Sequence, residues 1–114
     1  MDLGWNLDKL FKEAKLIIND TSKIDLEFKI FFILAKLNEL ILNNNIELFE
    51  PKIEKNDKDK IIIIWNNNKT KKSILFLIEE NIFMLMNYIS NNNLLEFNNP
   101  KDTLIIKVIK NFLN

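Results

Sequence analysis

The chain has 114 residues, 47% of them hydrophobic and 28% charged, and its 16 basic and 16 acidic residues give a formal net charge of zero. This length and composition predict a single folded domain over residues 1–114 and exclude a disordered chain. The balanced charge provides no general attraction to nucleic acid or to an anionic membrane. Every basic residue is Lys, so the guanidinium group that reads guanine and clamps phosphate is absent.

The composition also excludes several kinds of catalysis. The chain has no His and no Cys, which removes disulfides, thiol chemistry, imidazole acid–base catalysis and the usual zinc sites. Its one glycine is Gly4, so no glycine-rich loop can cradle a phosphate. We therefore predict that the protein is not an enzyme and has no cofactor or metal.

The start of the chain predicts a cytosolic protein. Residues 1–5 have neither a basic start nor an apolar stretch, so they do not resemble a secretory signal. No apolar run is long and uncharged enough to span a bilayer. The heavy use of Asn, Ile and Lys, whose codons are rich in A and T, is typical of an AT-rich genome.

Two helices are predicted in the first part of the chain. Apolar residues at three- and four-residue spacing indicate an amphipathic helix from Asn6 to about Asn19, with Trp5 docked ahead of its first turn. Ser22 and Asp25 resemble a capping box for a second helix, from about 23 to 43. The start of this second segment also alternates as a strand would, but a helix accounts for the polar stripe along the whole segment. Asn residues at 43–45 are expected to end it.

The middle of the chain predicts a sheet. Apolar runs at 61–65, 73–78 and 82–89, bounded by polar turns, indicate a three-stranded antiparallel meander. Residues 46–54 are expected to add an irregular edge strand in which Pro51 lies at a sheet edge or opens a strand, and residues 94–97 a short further strand.

A last helix is predicted at the end of the chain. Asn99 is expected to be its N-cap, Pro100 its first residue, and Asp102 part of its first turn. The helix should continue to about Leu113. The fold class predicted is therefore α+β, with two N-terminal helices, a three- to five-stranded antiparallel meander sheet and one C-terminal helix.

Both faces of the predicted sheet are apolar. A sheet with one wet face alternates apolar and polar residues, yet here Ile63 and Ile64 point to opposite faces and both are apolar. Either the last helix covers the second face, or that face is left for a partner or a second copy of the chain. The candidate partner-binding residues are Trp65, Phe76, Phe83 and Tyr88.

Three polar clusters in the sequence are candidate functional sites. The adjacent Glu79 and Glu80 are most simply a solvated turn, and Asn56, Asp57 and Asp59 lack the spacing of a calcium loop.

The third cluster, of Lys69, Lys71 and Lys72 near Trp65, could contact single-stranded nucleic acid. Such a cluster is more commonly a soluble hairpin tip.

By elimination, the sequence predicts a non-catalytic protein–protein interaction module. The expected type is a small inhibitor that binds a partner protein, such as an antitoxin, an immunity protein or a phage-encoded anti-defence (anti-CRISPR) protein. The partner would then be a toxin or a bacterial defence effector. The alternatives are a nucleic-acid or nucleotide binder that uses the Lys-rich turn, a homodimeric structural protein, and an enzyme, which would need a buried polar pocket that holds Glu79 or Tyr88. No membrane association is expected.

Overall fold

A computed structural model of the protein describes residues 4–18, 24–55, 60–78 and 84–114. It confirms the predicted α+β fold, with two N-terminal helices, an antiparallel sheet and a C-terminal helix. The elements are α1 (Leu7–Ile18), α2 (Ile24–Asn43), β1 (Lys52–Lys55), β2 (Ile61–Asn67), β3 (Lys72–Ile78), β4 (Leu85–Ser90), β5 (Asn93–Asn98) and α3 (Asp102–Leu113).

The five strands form one meander in which each strand pairs antiparallel with its neighbours in sequence. Residues opposite each other on paired strands point to the same face of a sheet. The register aligns Ile63, Phe76, Met86 and Phe97 in one row across four strands. The next row, one residue along, contains Ile64, Leu75, Asn87 and Glu96 and therefore points to the other face.

The first strand is shorter than the sequence predicts. β1 follows Pro51 directly and lies at the sheet edge, as predicted. Of the predicted strand at residues 46–54, only the part in β1 pairs with the sheet, whereas residues 45–50 form no strand. Two tryptophans supply the reason, because the indole of Trp5 donates to the carbonyl oxygen of Leu48 at 2.7 Å and that of Trp65 to Phe49 at 2.8 Å. Those carbonyls thus have partners without a strand ladder.

Asparagine residues adopt the left-handed backbone conformation that glycine adopts at helix ends and tight turns in most proteins. The prediction that α2 ends at 43–45 is confirmed: Asn45 has φ 53°, its N–H donates to Leu42, and the N–H of Ile46 donates to Ile41 at 2.9 Å. This is a Schellman end, which needs a left-handed residue. Asn91 and Asn92 also have positive φ, as a two-residue hairpin between β4 and β5 requires.

The predicted cap of α3 is wrong. The N-cap is Lys101, and it makes no side-chain capping bond. Asn99 instead continues the β4–β5 pairing, since its N–H donates to the Met84 carbonyl at 2.8 Å and its side chain accepts from the Met84 N–H at 2.9 Å. The strand pairing therefore takes the polar groups that a cap would have used.

All three helices lie on one face of the sheet. The ring of Trp5, just before α1, lies 5.7 Å from Trp65, and the carbonyl of Phe112 in α3 accepts a hydrogen bond from Asn67 of β2. An ion pair between Lys36 and Asp102 joins α2 to α3 at 2.9 Å. The last helix therefore joins the first two, and the core forms between this helical layer and the face that carries Trp65.

Several predictions fall on segments outside the described residues. These are the capping role of Ser22, the loop with Asn56, Asp57 and Asp59, the Glu79–Glu80 turn, and the contact residue Phe83.

Candidate protein-binding surface

We call the sheet face toward the helices the covered face and the opposite face the open face. Three of the predicted partner-binding residues lie on the covered face. Trp65 and Phe76 are each 1% exposed and Tyr88 is 5% exposed. A partner could reach these side chains only by displacing the helices. The candidate binding surface is therefore the opposite face of the sheet.

Tyr88 is held by the last helix. Its hydroxyl donates to the side-chain oxygen of Asn111 in α3. Burial raises the pKa of Tyr88 above its ordinary value, while a hydrogen bond with Ser90 acts in the opposite sense. This tyrosine therefore stays neutral near pH 7 and fastens α3 to β4.

The open face carries an apolar patch that no helix of the described residues covers. Its members come from four adjacent strands and follow from the strand register. They are Ile62, Ile64, Leu75, Leu77, Leu85, Ile89 and Leu94. Most are half-buried by their neighbours in the sheet, Leu85 is buried, and Leu94 is 58% exposed.

The size of this patch sets what it can contribute. Three strand spacings of about 4.8 Å and five residues of about 3.3 Å give roughly 250 Å². That is slightly below the area of about 300–600 Å² covered by the largest apolar patch of a typical monomer, which is often functional. Covering it would contribute about 6 kcal/mol before the costs of association. It is about a third of one partner's share of a standard interface, as expected for an apolar centre with a polar rim.

Polar residues surround and interrupt the patch. Lys52 and Glu54 of β1 lie along one side and Glu96 of β5 along the other. Asn87 lies inside it, opposite Leu75, and its side-chain oxygen is buried with no hydrogen-bond partner in the described part of the chain. An unsatisfied buried acceptor costs about 1–3 kcal/mol, so this asparagine is a local weakness in the fold.

A second apolar surface lies on the outside of α2. Phe28 is 66% exposed and Phe32 46% exposed, beside a groove of about 630 Å³ that Phe11 and Phe31 also line. The ammonium of Lys36 lies 5.9 Å from the Phe32 ring and is also paired with Asp102. Phe32 therefore already contacts a cation of the protein itself.

The Lys-rich turn does not combine with an accessible Trp65. Trp65 is buried, and Lys72 donates to the carbonyl oxygen of Asn111 at 2.9 Å. Lys69 and Lys71 are exposed, and Lys71 adopts φ 57° in the turn. Single-stranded nucleic acid is held by base stacking as well as charge, and Trp65 is too deeply buried to stack on a base.

The pKa of the Glu50 carboxylate is lowered from its ordinary value. A hydrogen bond from the backbone N–H of Asn6 at 3.0 Å is the main cause, and Lys9 adds to it at 3.2 Å. Because Asn6 precedes α1, this contact holds the helix start to the segment before β1. Its role is structural.

Two further features of the described residues concern metal binding and membrane insertion. No three acidic side chains of the described ranges gather as metal ligands. Among α1, α2 and α3, none combines the length and the apolar character needed to cross a bilayer.

The sequence pattern did contain the open-face residues. Strict alternation groups Ile62 with Ile64 within β2 and Leu75 with Leu77 within β3, and the strand register places both pairs on the same face of the sheet. The residues predicted to bind a partner are instead aromatic, and Trp65, Phe76 and Tyr88 are buried beneath the helices. Comparison of the chain with protein-family models, with curated proteins and with solved structures gives no match.

Proposed function

We propose that the protein is a non-catalytic interaction module that binds another protein through the open face of its sheet. The observation that carries the proposal is the apolar patch on that face, with all three helices on the opposite side. An exposed apolar patch with a polar rim is a feature typical of protein-binding sites. A polar rim with Lys52, Glu54 and Glu96 would orient the partner.

The mode of action that fits is inhibition by occlusion in the cytosol. The partner would be a toxin or a bacterial defence effector, and the protein would act as an antitoxin, an immunity protein or a phage-encoded anti-defence protein such as an anti-CRISPR. A rigid sheet face can block a site on another protein without any chemistry of its own. This agrees with the absence of His and Cys from the sequence.

The test is a charge placed in the middle of the patch. Leu75→Glu would bury an unpaired carboxylate in the interface, so we expect at least about 100-fold weaker binding. Leu16→Glu is the matched control, because Leu16 is 80% exposed on α1 and lies in the helical layer. Affinity capture from native host cells should yield a protein that wild type and Leu16→Glu retain and Leu75→Glu loses. Calorimetry on the purified pair then gives the affinities.

Three outcomes would contradict the proposal. Capture that is equal for Leu75→Glu and wild type would exclude the open face. Loss with Phe28→Glu but not with Leu75→Glu would assign binding to α2. Light scattering that shows a wild-type dimer and a Leu75→Glu monomer would assign the face to a second copy of the chain. Far-UV circular dichroism and a melting curve for each variant establish that it is folded.

A further inference from the structure

The two edges of the sheet differ in how well they are protected. β1 has four residues, three of them charged, and follows Pro51, which are features that keep other strands away. β5 has six residues with one charge, Glu96, and Leu94 and Leu95 are 58% and 53% exposed. No strand of the described residues lies beyond β5.

The register determines which backbone groups of β5 face outward. Ser90 and Asn93 close the two-residue hairpin, and the N–H of Asn99 donates to Met84 further along the same pair of strands. Bonded and non-bonded pairs alternate in an antiparallel ladder. The N–H and C=O groups of Leu94, Glu96 and Asn98 therefore point away from β4, and they form an edge that can pair with another strand.

A groove runs beside this edge on the covered side of the sheet. It has a volume of about 640 Å³ and lies between β5 and the row of α3 that contains Leu104, Lys107, Val108 and Asn111. Leu95 and Phe97 form its other wall, and Tyr88 also lines it. A strand added to β5 would direct every second side chain into this groove, since residues opposite Leu95 and Phe97 point to their face.

From these observations we infer that the β5 edge takes an extended segment of another protein as a sixth strand. The segment has the pattern apolar–basic–apolar. Its basic side chain lies opposite Glu96 on the open face, and the two apolar side chains enter the groove beside α3. Main-chain bonds give the affinity and the groove gives the selectivity, as in other cases of strand addition.

The charge of Glu96 also argues against a second copy of this chain as the occupant. Antiparallel self-pairing that uses all three outward residues places Leu94 opposite Asn98 and Glu96 opposite Glu96. Like charges directly opposite each other destabilise a sheet, whereas a Lys opposite Glu96 stabilises it. The occupant is therefore a strand with a basic centre, a feature that β5 itself lacks.

Two capped peptides test this inference, Thr-Val-Lys-Val-Thr and Thr-Val-Glu-Val-Thr. Both read the same in either direction, so Lys or Glu can lie opposite Glu96 whichever way the peptide runs along β5. The Lys peptide should bind about tenfold more tightly than the Glu peptide. Amide hydrogen exchange followed by NMR should show new protection at Leu94, Glu96 and Asn98, while Leu95 and Phe97 are already protected in the free protein.

Charge reversal and a control edge make the result specific. Glu96→Lys should reverse the order of the two peptides, and Glu54→Lys on β1 should leave it unchanged. Equal binding of both peptides, or no new protection with either, would overturn the inference. Protection of the same three amides that increases with protein concentration alone would assign the edge to self-association. Leu75→Glu should leave peptide binding intact, so this test is independent of the open-face proposal.

Discussion

On β2, Ile63 points toward the helices and is fully buried, whereas Ile64 points the other way and is only half-buried. Both faces are apolar at their centre, but the covered face carries Trp65, Phe76 and Tyr88, whereas the open face carries aliphatic side chains interrupted by Asn87. The covered face is distinguished by polar contacts to the helices, such as Asn67 to Phe112 and Tyr88 to Asn111. The covered face forms part of the core because helices pack on it and make hydrogen bonds to it. The open face makes no such hydrogen bond to the helices of the described residues.

The largest effect we expect comes from shortening these two neighbouring isoleucines. Ile63→Ala should lower the free energy of unfolding by about 3 kcal/mol, because the cavity it leaves is closed by the helical layer. Ile64→Ala should cost about 1 kcal/mol, since that side chain is only half-buried. Urea denaturation of both variants measures the difference. Equal losses would mean that Ile64 is also covered, and the open face would then not exist.

A second prediction concerns Trp5, whose indole holds the segment before β1. Trp5→Phe removes the indole N–H that donates to the Leu48 carbonyl and should cost about 2 kcal/mol, because a buried acceptor loses its partner. Glu47→Gln in the same segment is the control and should change stability by less than about 0.5 kcal/mol. Thermal unfolding compares the two. If Trp5→Phe matched the control, residues 45–50 would not depend on the indole.

A third pair of variants compares two asparagines with opposite surroundings. Asn87→Val on the open face removes an unsatisfied buried oxygen and should stabilise the fold by about 1 kcal/mol. Asn67→Val on the covered face removes the donor to Phe112 and should destabilise it by about 1 kcal/mol. Denaturation midpoints should therefore move in opposite directions. Movement in the same direction would show that Asn87 has a stabilising role.

Much of the fold was predictable from local sequence patterns. Period-two alternation assigned Ile63 and Ile64 to opposite faces, and three-four spacing located the helices, because both patterns depend on near neighbours in the chain. The face that α3 covers was not predictable. Both sheet faces are apolar, so the apolar side of α3 suits either one equally. Contacts between residues far apart, such as Lys36 with Asp102, accompany the choice, and no local pattern encodes them.

The candidate site shows the same limit. Alternation separated the two faces within each strand, but which face stays exposed depends on where α3 packs. The prediction that Asn99 caps α3 was wrong for a related reason. Asn99 has the side chain of a good N-cap, yet the pairing with Met84 uses its polar groups first. Local signals predict what a residue can do, and long-range pairing determines which of those roles it takes.

The smallest effect we expect concerns the contact that holds α1 to the segment before β1. The pKa of Glu50 is lowered from its ordinary value of 4.5, chiefly by the N–H of Asn6. A lowered pKa in the folded state means that this carboxylate stabilises the fold above pH 4.5 and that the contribution is lost as the pH falls through the folded pKa. Because Glu50 is partly exposed, solvent screening keeps the effect below about 1 kcal/mol.

Two substitutions separate the charge of Glu50 from its hydrogen bond. Glu50→Gln keeps an acceptor for the Asn6 N–H but removes the charge, so its stability should differ from that of wild type at pH 7 and converge with it in acid. Lys9→Gln should retain most of the wild-type pH dependence, since Lys9 contributes less than Asn6 to the lowered pKa. Urea denaturation from pH 7 to pH 3 measures both. A larger change with Lys9→Gln than with Glu50→Gln would show that the ion pair, rather than the start of α1, holds this carboxylate.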